Sequence, residues 1–319
     1  MRHHLLPRVY LEGFTDPTCE PGRTPHVWVC TAQTGTWKRR GPKNVAAMTD
    51  YYSLPDGKGG TDLVLEKALS HSEGGFARAM REYVIPRKAL DDDAKGALAM
   101  FAALMFVRLP AQHKQMNDFQ VETVKMTMEM MRGVYGKDEE TWQAYLKQME
   151  EKTGQSFSGL RPEHFDPDKF EITIPHERTL ALAFAKVVKL ADVIMNMGWK
   201  LYYAAEPESF ITSDQPLALH SRVLEGQSFY RPGLMWPDDV ELTLPLSRSV
   251  ALFGSWSEDG VTLKDAMTRE VQAFNLRSAT YTRDLFVASV PEFPGREDIQ
   301  REIERELAAA GGTRPEGNT

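Results

Sequence analysis

Leu180-Ala181-Leu182-Ala183-Phe184-Ala185-Lys186-Val187-Val188 runs on to Met197, stops at Gly198, and gives way at once to Trp199-Lys200-Leu201-Tyr202-Tyr203-Ala204-Ala205. The first part is mostly apolar and of helical length, so it predicts a largely buried helix over 180–197 with Gly198 as its C-terminal stop. The second part is short and rich in aromatic residues, which reads as a strand over 199–205. The switch from helix to strand at Gly198 divides the chain and decides its class.

Downstream of the switch, 209–212, 241–244, 249–253 and 285–289 read as short strands punctuated by Pro, Gly and Asp, with helices expected over 263–280 and 296–309. Upstream lie helices over 139–153 and 94–132, the latter broken at Leu109-Pro110 because proline disfavours helix at the residue before it. A further helix is expected over 61–83, with Thr61 as its N-cap. The first 54 residues read as loops and short strands: 26–31 alternates β-branched and aromatic residues, and Trp37 follows a Thr34-Gly35 turn.

Helices in the middle, strands toward both ends and no regular βαβ alternation predict an α+β fold, with one sheet shared by the two ends of the chain. Positions 1–310 are expected to form one large domain. The Gly-, Pro- and Ser-rich stretch 154–170 is the place for a sub-boundary, and 311–319 reads as a disordered tail.

Composition narrows the function classes. The chain has 319 residues, a formal charge of -7 and no signal-length or membrane-length apolar run, so a soluble cytoplasmic protein is expected, without membrane insertion. The acidic balance does not support broad nucleic-acid binding. Cys19 and Cys30 lack metal-ligand spacing and read as reduced thiols. There is no Walker-type loop, G-x-G-x-x-G, H-E-x-x-H or G-x-S-x-G.

The remaining polar candidates each have a bland alternative. The loop Gly57-Lys58-Gly59-Gly60 precedes a helix start, where free amides suit an anion, or it is a plain connector. Glu66 and Glu73, seven apart on one helix, fall on nearly the same face; they suit a shared metal or acid and base roles, or are simply solvated and paired with a residue such as Arg78. His3 and His4 border an apolar pattern, so one imidazole is a base or ligand, or a structural histidine bonded to backbone. Asp214 ends a buried strand, as a functional carboxylate or an Asx turn. Arg108 closes the apolar run 100–107, either to clamp an anion or as half of a buried ion pair. Met126, Met128, Met130 and Met131 suit an adaptable partner groove or a core.

The opening His4-Leu5-Leu6-Pro7-Arg8-Val9-Tyr10-Leu11-Glu12-Gly13-Phe14, read as H-x-x-P-x-x-Y-L-x-x-F, resembles a bacterial family called domain of unknown function 4238. Pro42-Lys43-Asn44, Tyr51-Tyr52, the Glu66/Glu73 helix, Arg108 with Pro110, Ile211-Thr212-Ser213-Asp214-Gln215-Pro216 and Leu244-Pro245-Leu246-Ser247 follow in the same order as in that family. The resemblance spans about 3–290. It implies no mechanism, but it draws attention jointly to His4, Asn44, Glu66, Glu73, Arg108 and Asp214.

The leading expectation is a hydrolase of a small anionic, phosphorylated substrate. His4, Glu73 and Asp214 would serve as catalytic groups or as ligands of a divalent metal, Arg108 and Asn44 would hold substrate, and Glu66 would support. One alternative is a non-catalytic ligand- or partner-binding protein of a bacterial stress or defence system. Another is a nucleic-acid-processing enzyme, which requires Lys38, Arg39, Arg40 and Lys43 to gather in a cleft.

Overall fold

A computed structural model describes residues 2–20, 22–55, 61–224, 234 and 238–309. The loop 57–60 and the tail 311–319 lie outside them. The fold is α+β, with helices in the middle of the chain and sheets built from N- and C-terminal strands. Two compact units are present: the first combines Met1–Leu109 with Phe184–Thr319, and the second is the continuous segment Pro110–Ala183. The 154–170 stretch lies inside the second unit.

In the first unit, α3 (Asp92–Val107) is buried almost all round, with Leu98, Phe101, Ala102 and Met105 essentially inaccessible. Such a helix is a core element, not an amphipathic cover. It packs against α2 (Val64–Ala79) and α7 (Val187–Asn196). Asp91 caps its start by accepting from the Ala94 amide at 2.7 Å.

A four-stranded antiparallel sheet has the order β3-β2-β13-β8, from β2 (Val27–Thr31), β3 (Trp37–Arg40), β8 (Thr212–Ser213) and β13 (Leu285–Ala288). The two ends of the chain thus share one sheet, with Phe286 opposite Cys30. A five-stranded sheet has the order β12-β7-β11-β10-β9, from β7 (Gly198–Tyr203), β9 (Ala218–His220), β10 (Glu241–Ser247), β11 (Val250–Ser255) and β12 (Val261–Asp265). Helices α8 (Thr268–Tyr281) and α9 (Arg296–Ala309) complete this unit. At the N-terminus, β1 (Arg2–His4) pairs with β4 (Ala47–Thr49).

Several elements depart from the sequence expectation. Thr61 does not cap α2: it pairs in a two-residue strand, and the Asp62 carboxylate receives the Val64 amide at 2.8 Å. The helix over 61–83 tightens to Val64–Ala79 and ends in a π-helical turn, Met80–Val84. The helix over 180–197 is two, α6 (His176–Phe184) and α7. Residues 263–265 belong to strand β12, so α8 begins later than expected.

The second unit is helical: α4 (Pro110–Tyr135), α5 (Glu139–Thr153) and two 3-10 turns. Its core is aromatic. Trp142 is inaccessible, packs edge-on against Phe165 and donates its indole N–H to the Leu160 carbonyl at 2.8 Å, while Tyr135 stacks on Tyr145. Thr179 donates to the Asn117 side chain at 2.8 Å. No single helix among the described residues is long and apolar enough to cross a membrane.

Candidate functional site

Two polar knots lie in the first unit, and the first brings together three of the candidate residues, His4, Glu73 and Arg108. Arg108 sits at the C-cap of α3, so its backbone ends the helix while its side chain turns back into the unit. The side chain is 3% exposed. Its Nη1 donates to Glu73 Oε1 on α2 at 3.1 Å, and its Nη2 donates to the backbone carbonyl of His4 on β1 at 2.5 Å. A buried guanidinium needs both a countercharge and acceptors, and here the helix supplies one and the strand the other. Its Nε has no hydrogen-bond partner among the described residues.

Tyr52 closes this knot. Its hydroxyl donates to the Arg108 carbonyl at 2.6 Å, its backbone amide donates to His3 Nδ1 at 2.8 Å, and its ring meets that of Phe184 edge-on at 6.1 Å. Burial pushes the Tyr52 phenol up from its ordinary value, which keeps the hydroxyl a donor. His3 is thus an imidazole bonded to backbone. His4 takes part through its main-chain carbonyl.

The second knot centres on Tyr10 of the helix α1 (Arg8–Glu12). Its buried hydroxyl lies 2.7 Å from Thr212 Oγ1 and donates to the Pro245 carbonyl at 2.7 Å. Its ring packs against Phe14, Phe76 and Phe101. Nearby, the Arg248 amide donates to the Gly13 carbonyl at 2.9 Å, and a Cβ on Gly13 would lie 3.1 Å from Ser247 Cβ. The opening motif, the Thr212 segment and the Pro245 segment are therefore three sides of one contact.

Asp214 does something else. Its two oxygens accept from the Arg283 and Asp284 amides, each at 3.1 Å, fastening the end of β8 to the turn before β13. Burial, with the neighbouring charge of Asp284, lifts this carboxyl above the usual aspartate range against the pull of those amides. Glu66 lies half-buried in the first turn of α2. Asn44 is exposed at the end of the 3-10 turn Pro42–Asn44. Among the described residues, no three His, Cys, Asp or Glu side chains gather in a group that could hold a metal ion. His4, Glu73 and Asp214 accordingly form no such group: Arg108 bonds both Glu73 and the His4 carbonyl, and Asp214 is fastened to backbone amides.

The basic residues Lys38, Arg39 and Arg40 lie exposed along β3, at the open edge of its sheet, with the Arg39 guanidinium 4.8 Å above the Trp28 ring. Lys43 is exposed in the following turn.

The second unit holds the feature that the sequence left ambiguous. His113 alone is buried among the residues of α4, whereas Phe119 is 72% exposed and Met126 70% exposed, with Met130 and Val134 also exposed. Phe119, Thr123, Met126, Met130 and Val134 recur at helical spacing and share one side. Met128, Met131 and Tyr135 fall on the other side and are half-buried. The methionine run is thus split between two faces, one packed and one bare.

A family model described as "Protein of unknown function (DUF4238)" matches residues 2–292. No curated protein and no solved structure matches the chain.

Proposed function

The chain belongs to the DUF4238 family, a membership that carries no activity, and on that premise we propose that it is a non-catalytic protein that holds a partner through the bare face of α4. The observation behind this reading is the row Phe119, Met126, Met130 and Val134, exposed on a helix with a separate packed face. Contiguous exposed apolar surface of this kind marks interaction sites, and methionine adapts its shape to what covers it. In the same reading the polar knots are fasteners of the fold. Glu73 is committed to Arg108 and Asp214 to two amides, so neither carboxylate is free for acid–base work.

A photoreactive amino acid at position 123 tests the reading in the cell of origin. One dominant crosslinked product of defined mass is expected, absent from a Met126→Glu/Met130→Glu variant. A diffuse spread of unrelated products, or the same product in that variant, removes the reading.

One observation favours a second reading, hydrolysis of a small phosphorylated substrate. Among the described residues the Nε of buried Arg108 has no partner, which leaves one donor for an anion, with His4, Glu73 or Asp214 as catalytic groups, a divalent metal as helper and Asn44 at the rim. Thermal stabilisation by inorganic phosphate or by manganese, lost in Arg108→Met, Glu73→Gln and Asp214→Asn, would favour it. No response in a folded wild type would end it.

A further inference from the structure

We propose that the open edge of β3 receives an extended peptide segment that alternates carboxylate and apolar residues, added as a further strand of the four-stranded sheet. This surface lies in the first unit and goes beyond the reading of α4.

The edge has free backbone. Strand β3 ends the order β3-β2-β13-β8, and among the described residues no strand pairs with its outer side. Every second residue of such a strand turns both its amide and its carbonyl outward. A peptide backbone answers both groups, whereas a phosphodiester chain answers only the amides.

The edge also has free charge. Lys38, Arg39, Arg40 and Lys43 put four cations into six positions of a chain whose formal charge is -7, and all four are exposed. Among the described residues none of them has an ion pair. The contrast is β12, which ends the other large sheet. There Lys264 is bound to Glu270 at 2.7 Å, and Asp265 to Arg87 at 2.7 Å, so that edge is neutralised from within. On β3 the countercharge has to come from outside. The same row of cations opposes a second copy of β3, because like charges directly across a strand pair repel.

The pleat sorts the cations and sets the pattern of the occupant. Lys38 and Arg40 stand on one face, across from Val29 and Val27, while Trp37 and Arg39 stand on the other, across from Cys30 and Trp28. On that second face Arg39 is taken up by an aromatic ring, its guanidinium 4.8 Å from the Trp28 centroid. Trp28 is held in turn: its indole N–H donates at 3.1 Å to buried Asp16, whose carboxylate also receives the Thr18 amide at 2.8 Å and the Thr18 hydroxyl at 2.6 Å. Trp37 packs edge-on against Phe293. An added strand therefore meets two unpaired cations on one face and aromatic surface on the other. Carboxylates suit the first and apolar side chains the second. A nucleic acid backbone calls for cations gathered on one surface, and the pleat divides them.

Fluorescence anisotropy of the full chain with a labelled short peptide of alternating valine and glutamate tests the proposal. Wild type is expected to bind it. Lys38→Glu/Arg40→Glu should weaken binding by about tenfold or more, at an unchanged melting temperature because both side chains are exposed; if that variant melts early, Lys38→Gln/Arg40→Gln takes its place. The same peptide with every backbone amide methylated keeps its carboxylates but cannot join a ladder, and should not bind. Equal binding of the methylated peptide would reduce the site to plain charge attraction and overturn strand addition. No binding by wild type up to about 1 mM, or binding indifferent to both substitutions, overturns the site. A single-stranded DNA oligonucleotide that binds more tightly than the peptide, and is lost in the same variants, overturns the peptide as occupant in favour of nucleic acid. None of these outcomes touches the crosslink from position 123, which tests α4 separately.

Discussion

At the scale of single residues, Arg108 separates a fastener from a binding group. Arg108→Ala strands the Glu73 carboxylate and the His4 carbonyl, and urea unfolding is expected to record a loss of about 3–5 kcal/mol. Glu73→Gln keeps an acceptor oxygen but removes the countercharge, for a loss of about 1–3 kcal/mol. If both variants stay within about 0.5 kcal/mol of wild type, the arginine is held for a ligand and not for the fold. Asp214 gives a prediction in pH. Its carboxyl is raised in the folded state, chiefly by burial, so the native protein keeps this proton to higher pH than the unfolded chain does. Its contribution to stability is therefore full below the unfolded value of about 3.9 and is lost as pH rises through the folded value. The stability of wild type relative to Asp214→Asn should accordingly shrink from acid toward neutral pH in thermal melts; a difference that grows with pH would mean that the two amide hydrogen bonds outweigh burial. The burial and pairing of Arg108 were legible from an arginine closing an apolar run. Its partner was not: Glu66 and Glu73 share a face by spacing, and only the packing of α2 on α3 decides that Glu73 is the one that reaches it. Tyr52 stands in the sequence only as an aromatic residue of a segment shared with the resembled family; its role was not legible, because it depends on contacts with His3 and Arg108, far away in sequence.

At the scale of elements, α4 carries a glycine that costs it stability. Nothing lies within 4 Å of where a Cβ on Gly133 would be, so Gly133→Ala should stabilise the protein by about 1 kcal/mol, read as a higher melting temperature; a lower one would show that the position needs its glycine. Trp142→Ala, on the packed side of the same unit, should cost about 3–5 kcal/mol because it removes an inaccessible indole and its hydrogen bond to Leu160. Long elements were readable in the sequence wherever apolar spacing or a proline break fixed them, as with α3, α4 and α5. Strand β12 was not, because Val261 to Asp265 is largely exposed and lacks the buried alternation that marks a strand. The 180–197 run reads as one helix because the break at Ala185-Lys186 has neither proline nor glycine to mark it.

At the scale of the whole molecule, the first unit is assembled from sequence ends that must meet late. Strand β13 lies between β2 and β8, so its sheet cannot be complete before residues 285–288 join. This arrangement was legible in outline, since strands at both ends of a chain with helices between them have few other ways to pair. The chain leaves this unit after Leu109 and returns at Phe184. Replacing Pro110–Ala183 by a short Gly/Ser linker is expected to leave a protein that melts cooperatively with the strand content of the first unit; a molten product would show that the frame depends on the segment it carries. The reason to expect survival is Tyr52, whose hydroxyl holds Arg108 and whose ring meets Phe184. One side chain thus touches both margins of the first unit, at Arg108 and at Phe184, and a linker variant that survives would mark residues 110–183 as an insertion whose sequence is free to change without recutting the fold that carries it.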